Sequence, residues 1–213
     1  MLRKFFQNLP LVKLIIKKSI KMKKTILSFA ISAMIIATIP TTHAQMQNKS
    51  GSTVTVGGEA MYPMKNIIEN AINSKDHTTL VAAVKAAGLV ETLQSKGPFT
   101  VLAPVNNAFE DLPAGTVENL LKPESKSTLT SVLTYHVLSG KYTFDDIVAA
   151  IKKGGGKASM KTVAGQEITF LMNGPHNIEV KDALGNLANI TTYDVNQSNG
   201  VIHVLDRVLM PKM

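Results

Sequence analysis

Apolar residues recur every three or four positions between residues 67 and 151, the spacing of one buried helix face. The predicted helices lie at residues 67–72, 80–88, 116–121, 129–137 and 144–151. Thr116 is suited to cap the third of them. Thr143 and Asp146 have the spacing of a capping box, in which each side chain accepts the other residue's backbone N–H. This region is therefore predicted to be mainly helical.

The pattern changes after residue 156, where short segments rich in β-branched residues follow one another. The predicted strands lie at residues 159–163, 168–172, 177–182, 188–193 and 201–210, and turn signals such as Asn199-Gly200 separate them. One more predicted strand, residues 99–103, stands among the helices. Helices followed by antiparallel strands predict an α+β domain. The last strand is apolar on both faces, which is typical of a central strand.

Residues 22–44 have the order of a secretory signal peptide: two lysines, an apolar stretch of about 14 residues, and a proline followed by small residues. The apolar stretch is shorter than the roughly 20 residues that cross a bilayer. We therefore expect residues 1–44 to be a leader that is cleaved between Ala44 and Gln45, which leaves no membrane span. An uncleaved anchor is the alternative.

Residues 1–21 interleave apolar residues with bases, which suits either a membrane-surface helix or an upstream stretch that is not translated. We favour the second interpretation, with Met22 as the true start. Residues 45–60 are polar and rich in Asn, Ser, Thr and Gly, as linkers are. The domain itself is expected to cover residues 61–213, since the sequence contains no internal repeat and no second linker.

The net charge of +8 belongs to the leader. Eight of the 23 bases precede Gln45, whereas all 15 acids follow it, so the rest of the chain is balanced. A nucleic-acid partner is therefore not expected, because phosphate binding needs a clustered basic excess. The chain has no cysteine, which excludes disulfides, thiol catalysis and cysteine-ligated zinc.

Candidate reactive groups are few. The histidines do not stand at metal-ligand spacing, and the chain has neither a G-x-S-x-G elbow nor a phosphate-binding loop. His136 and His203 lie in apolar segments and are expected to be hydrogen-bonded core residues. His77 and His176 are expected to be exposed. We accordingly predict no catalytic residue, no metal and no cofactor.

The sequence contains three distinctive motifs, two near the middle of the chain and one close to its end. They are GPFTVLAPVNNAF at residues 97–109, LTYHVLSGKY at residues 133–142 and NGVIHVLDRVLMP at residues 199–211. In the first, Pro104 fixes a bend after the strand, Asn106 can bond its own backbone in a turn, and Phe109 is a large apolar anchor.

These three motifs, in this order, resemble those of the fasciclin-like domain family over roughly residues 66–211. The family's motif residues fall here on Thr100, Pro104, Asn106, Phe109, Tyr135, His136, Gly200, His203 and Asp206. Val105 stands where the family usually has Thr. The resemblance implies a fasciclin-like β-sandwich or wedge with helices packed along one side.

The resemblance also implies a non-catalytic adhesion or interaction module that is secreted, to the periplasm, the cell surface or the medium. Its partner would be an extracellular or envelope protein or a polysaccharide, and its oligomeric state stays open. The family's adhesion has been attributed to the region of Tyr135 and His136, which are the candidate partner-binding residues. We favour the alternative that both build the core. A second function stays open, a periplasmic carrier of a small ligand or lipid, which a closed apolar pocket of a few hundred Å³ would indicate.

Overall fold

The computed structural model describes residues 53–212, so the leader, its cleavage site and residues 45–52 of the predicted linker lie outside the described part. The helices are α1 (Ile67–Ala71), α2 (Thr78–Ala87), α3 (Val90–Gln94), α4 (Asn106–Glu110), α5 (Thr116–Leu120), α6 (Lys126–Tyr135) and α7 (Phe144–Lys153). Two 3₁₀ turns cover Lys75–His77 and Pro123–Ser125. In residues 53–212, no helix is long and apolar enough to span a bilayer.

The strands are β1 (Val54–Val56), β2 (Glu59–Met61), β3 (Phe99–Pro104), β4 (Val137–Ser139), β5 (Lys157–Lys161), β6 (Glu167–Asn173), β7 (Asn177–Lys181), β8 (Leu187–Gln197) and β9 (Gly200–Leu205). β1 and β2 form a hairpin, and the other strands form one sheet in the order β4-β3-β9-β8-β7-β6-β5. Its pairs are antiparallel except β3 and β9, which run parallel. The α+β prediction is therefore confirmed.

The sheet folds over until its two ends meet. β8 pairs with β7 through its first residues and with β9 through the rest, and register shifts interrupt it on either side of Thr192. Leu138 of β4 forms a bridge with Thr162, and the Val163 N–H donates to the Val137 carbonyl at 2.7 Å. Side chains from both ends share one buried cluster, so the predicted sandwich or wedge is a nearly closed sheet.

A second cluster packs helices α1, α2, α3 and α6 and the β1–β2 hairpin against β3 and β9. Every residue of β9 is buried, as expected for a central strand with apolar residues on both faces. The predicted capping box is present at the start of α7: the Asp146 N–H donates to Thr143 Oγ1, and the Thr143 N–H donates to Asp146 Oδ2.

The predicted linker is wrong over residues 54–60, which form most of the β1–β2 hairpin. Gly57 and Gly58 both have positive φ, which makes the tight turn possible. Val56 and Met61 are buried in the helical cluster, so the domain begins earlier than predicted. A polar composition concealed this, because only alternate residues of so short a hairpin need to be apolar.

Three predicted boundaries also differ. The helix predicted at residues 129–137 ends at Tyr135, because Val137 begins β4 and pairs with β3. The last strand ends at Leu205 rather than at residue 210. Thr116 is the first residue of α5, and Gly115 occupies the cap position.

Candidate functional site

Tyr135, the first residue of the candidate pair, is fully buried at the end of α6. Its hydroxyl donates to the Glu167 carbonyl at 3.0 Å and accepts the Ala183 N–H at 2.8 Å. Burial is the main reason why its pKa is raised above the usual value for tyrosine. The phenol therefore joins the start of β6 to the turn between β7 and β8.

His136 is buried as well, and both of its ring nitrogens have backbone partners. Nδ1–H donates to the Val132 carbonyl at 2.8 Å, and Nε2 accepts the Leu209 N–H at 2.9 Å. Burial lowers the pKa of His136 to about 4, so the ring is neutral at physiological pH. Because both ring nitrogens already have partners, His136 does not need a threonine hydroxyl at position 105, where the family usually has Thr and this chain has Val105.

Asp182, which was not identified from the sequence, is a further residue of this region that bonds to the backbone. Its carboxylate accepts the N–H groups of Leu184 (2.9 Å), Asn186 (2.8 Å) and Met210 (3.1 Å). The segment 182–187, called here the Leu184 turn, joins β7 to β8 and includes Leu187, the first residue of β8. Tyr135 and Asp182 bond the backbone of this turn from its buried side, while Leu184 is 58% exposed.

A second group of motif residues fixes the loop that follows β4. His203 is fully buried; its Nε2–H donates to the Tyr142 carbonyl at 2.8 Å and its Nδ1 accepts the Asp194 N–H at 3.3 Å. Thr100 Oγ1 accepts the Tyr142 N–H at 2.9 Å and donates to the Gly140 carbonyl at 2.8 Å. Burial lowers the pKa of His203 below its ordinary value. These side chains anchor backbone and leave no free reactive group.

Asn106 bonds across the fold rather than to its own turn, which corrects the prediction. Its Oδ1 accepts the Thr79 N–H at 3.0 Å and its Nδ2 donates to the Lys75 carbonyl at 2.8 Å, so it caps α2 from another element.

The other motif residues are structural in their contacts. Pro104 ends β3 opposite Leu205, and half-buried Phe109 packs on the small cluster of Ala108, Val132 and Val208. Asp206 accepts the backbone and side-chain N–H groups of Asn189 at 2.7 and 2.8 Å. Gly200 begins β9 directly against Phe99.

A buried amide cluster was missed from the sequence. Asn199 Oδ1 accepts the Ile67 N–H at 3.0 Å, and its Nδ2 donates to the carbonyls of Leu93 and Ser95 at 2.8 Å. Asn70 Nδ2 donates to Gln197 Oε1 beside it. The Asn199-Gly200 pair signalled only a turn, although Asn199 also joins α1 and α3 to the sheet.

His176 is exposed in the β6–β7 turn, as predicted, whereas the prediction that His77 is exposed is wrong. His77 is 4% exposed, because the β1–β2 hairpin and the helices enclose it. It borders an apolar cavity of about 90 Å³ between α1, α2, α3 and the sheet. Across residues 53–212, no group of three or more His, Asp or Glu side chains is arranged to hold a metal ion.

The buried histidines predict a loss of stability in mild acid. The folded pKa of His136 is about 4 against 6.5 when unfolded, so between these values the unfolded state binds more protons. The contribution of the neutral His136 ring to the free energy of unfolding is fully present above pH 6.5. It decreases as the pH drops towards 4, by about 3 kcal/mol. His77 and His203 add losses of the same sign. Urea unfolding at pH 7.0 and pH 4.5 measures this, and equal stabilities at the two pH values would contradict it.

Several known proteins resemble this chain over most of its length. The sequence model of the Fasciclin domain family matches residues 75–211 of this chain. Protein sll1483 of Synechocystis sp. is 46% identical over 172 residues, which cover 80% of this chain and 86% of that protein. The cell surface glycolipoprotein MPB83 of Mycobacterium bovis is 32% identical over 170 residues, which cover 78% of this chain and 67% of that protein.

The fold has a solved relative, a FAS1 domain pair from the insect cell adhesion molecule Fasciclin I. The TM-score is 0.62 at 18% sequence identity, and the match covers 70% of this chain and 52% of that two-domain chain. At this identity the likeness concerns the fold alone.

Proposed function

Because the chain belongs to the fasciclin domain family, we propose that it is a non-catalytic interaction module that acts outside the cytoplasm. The observation that carries this proposal is that the motif side chains are buried and bonded to the backbone, which leaves the surface around them to contact a partner. His136 and His203 engage both ring nitrogens with backbone, and Tyr135 is equally enclosed. Such groups support a surface and are not available to react with a substrate.

The surface that Tyr135 supports directly is the Leu184 turn, because its hydroxyl accepts the Ala183 N–H there. Leu184 and Leu187 are 58% and 44% exposed, although each carries a large apolar group. Tyr135 and Asp182 fix the backbone of this turn from the buried side. A rigid apolar projection loses little entropy on binding and suits a protein partner better than a polysaccharide. We therefore assign Tyr135 a positioning role and Leu184 the contact.

The experiment compares the protein with two matched variants on an array of matrix proteins, envelope proteins and glycans. Leu184→Lys places a charge at the proposed contact, and Met64→Lys places one at another exposed position, since Met64 is 86% exposed. We expect Leu184→Lys to lower binding at least tenfold and Met64→Lys to leave it unchanged. Equal binding by both variants would contradict the assignment of the surface, and binding only to glycans would contradict a protein partner.

An extracytoplasmic location is supported by the sequence of the predicted leader and by the cell surface glycolipoprotein among the relatives. We expect the N-terminal sequence of protein from the periplasm or medium to begin at Gln45. Intact chain confined to the cytoplasm would overturn this part of the proposal.

The carrier function has one observation in its favour, the apolar cavity beside His77. Its volume of about 90 Å³ is well below the roughly 300–1,000 Å³ of sites that hold drug-sized ligands. The cavity is therefore too small for a lipid to be enclosed, and we keep the interaction module as the main function.

A further inference from the structure

The chain contains two Asn-Gly pairs, Asn173-Gly174 and Asn199-Gly200, and each stands where one strand of the sheet turns into the next. The asparagine amide is a labile group. A following glycine favours its reaction with the backbone, because glycine has no side chain to keep its own nitrogen away from the amide carbon. The two pairs have the same local chemistry, so a difference in their reactivity must come from the fold.

The fold encloses the second pair. Asn199 is 7% exposed; its Oδ1 accepts the Ile67 N–H and its Nδ2 donates to two carbonyls at the end of α3. The Asn199 carbonyl also accepts the Phe99 N–H at 3.0 Å, and Gly200 lies directly against Phe99. The amide carbon of Asn199 therefore cannot turn towards the Gly200 nitrogen unless this part of the protein opens.

The first pair is open to solvent. Asn173 ends β6, and every residue from 173 to 177 is exposed. Among the hydrogen bonds of residues 53–212, none is donated by the Gly174 N–H, and a Cβ on Gly174 would meet no atom within 4 Å. The Asn173 side chain makes a single bond, from Nδ2 to Glu179 Oε1 at 2.6 Å. Both the attacking nitrogen and the amide carbon are thus accessible.

We propose that Asn173 is a self-modification site, at which the folded protein slowly converts asparagine into aspartate and isoaspartate. The Gly174 nitrogen gives up its hydrogen and bonds to Cγ of Asn173, while the bond from Cγ to Nδ2 breaks and ammonia leaves. Water then opens the resulting five-membered ring at either carbonyl, so one water is consumed for each ammonia released. The site lies at the other end of β7 from the Leu184 turn and does not depend on the proposed interaction surface.

The product changes the end of the β6–β7 ladder. A carboxylate at position 173 cannot donate to Glu179 and faces it with a charge of the same sign. Isoaspartate also adds a methylene to the backbone beside the last pair of the ladder, Asn173 with Asn177. We therefore expect aged protein to elute later on anion exchange and to melt at a lower temperature than fresh protein.

The test follows both pairs in one protein by peptide mapping and mass spectrometry. Folded protein is incubated in mildly alkaline buffer made with H₂¹⁸O, which labels each residue that the reaction has hydrolysed. We expect Asn173 to react at least about a hundredfold faster than Asn199, because a buried group reacts only in the small fraction of molecules that has opened. In concentrated urea the two should react at similar rates. Equal rates in the folded protein, or an unmodified Asn173 where both react in urea, would overturn the proposal.

Gly174→Ala tests the route of the reaction. A methyl group beside the attacking nitrogen hinders closure of the ring, so we expect the modification of Asn173 to slow at least about tenfold. Asn199 serves as the internal control and should react as in the parent. Modification of Asn173 at the parent rate would show that water attacks the amide directly, which contradicts the role of Gly174. If the variant does not fold, the comparison of the two pairs in the parent decides.

Discussion

The His136→Asp variant is expected to yield no stably folded domain at neutral pH. A carboxylate at this position cannot donate to the Val132 carbonyl, and it would carry a buried charge within the field of Asp182. An unpaired buried charge costs more than about 4 kcal/mol, a large part of the 5–15 kcal/mol that stabilises a typical domain. Circular dichroism melting and the yield of soluble protein measure the effect.

Two further variants, His136→Leu and His176→Asp, serve as comparisons for His136→Asp. Leucine keeps the apolar volume but leaves the Val132 carbonyl and the Leu209 N–H without partners, so we expect a loss of about 2–3 kcal/mol. Aspartate at the exposed position 176 should change stability by less than about 0.5 kcal/mol. Loss of binding should follow loss of folded protein throughout. A His136→Leu variant that melts like the parent but no longer binds would show that the ring itself contacts the partner.

The Gly200→Ala variant should lose about 3 kcal/mol of stability or more, which lowers Tm by about 10 °C in a domain of this size. A methyl group there would overlap the Phe99 carbonyl oxygen and lie 3.0 Å from both the carbonyl carbon and the nitrogen of Phe99. All three are backbone atoms, which cannot turn aside as a flexible side chain can. The clash falls where β9 and β3, two central strands, begin to pair.

Gly174→Ala is the matched control for this substitution. Gly174 has a φ of 75°, but a methyl group there would meet no atom within 4 Å, so only the backbone conformation is strained. We expect a cost of about 1 kcal/mol. If both alanine variants melt at the same temperature, the close approach of Gly200 to Phe99 does not limit the fold.

Much of the architecture could be predicted because it rests on local signals. The capping box of Thr143 and Asp146 lies within four residues, and the two-sided apolar pattern of β9 reflects its central place. The prediction failed where distant pairing overrides the local pattern. Val137 continues the apolar spacing of α6. It nevertheless forms part of β4, because it pairs with the edge of β3 that β9 does not occupy.

The candidate site was less predictable, because its contacts join residues far apart in the sequence. Asn199 bonds backbone groups more than 100 residues away, and Asp182 holds both a local turn and Met210. Neither role follows from the neighbours of these residues in the chain. The environment of His77 likewise depends on the β1–β2 hairpin, which the polar sequence of residues 54–60 did not reveal.

The parallel pairing of β3 with β9 has a consequence for how the protein is made. Phe99 lies opposite Gly200, so a growing chain must extend by about 100 residues before β3 gains this neighbour. The second core cluster also needs Val101 and Ile202 together. Contacts between such distant residues form slowly, because a long loop must close first. We therefore expect ribosome-bound chains that stop before residue 200 to remain sensitive to protease and in an unfolded state suited to passage through a secretion channel.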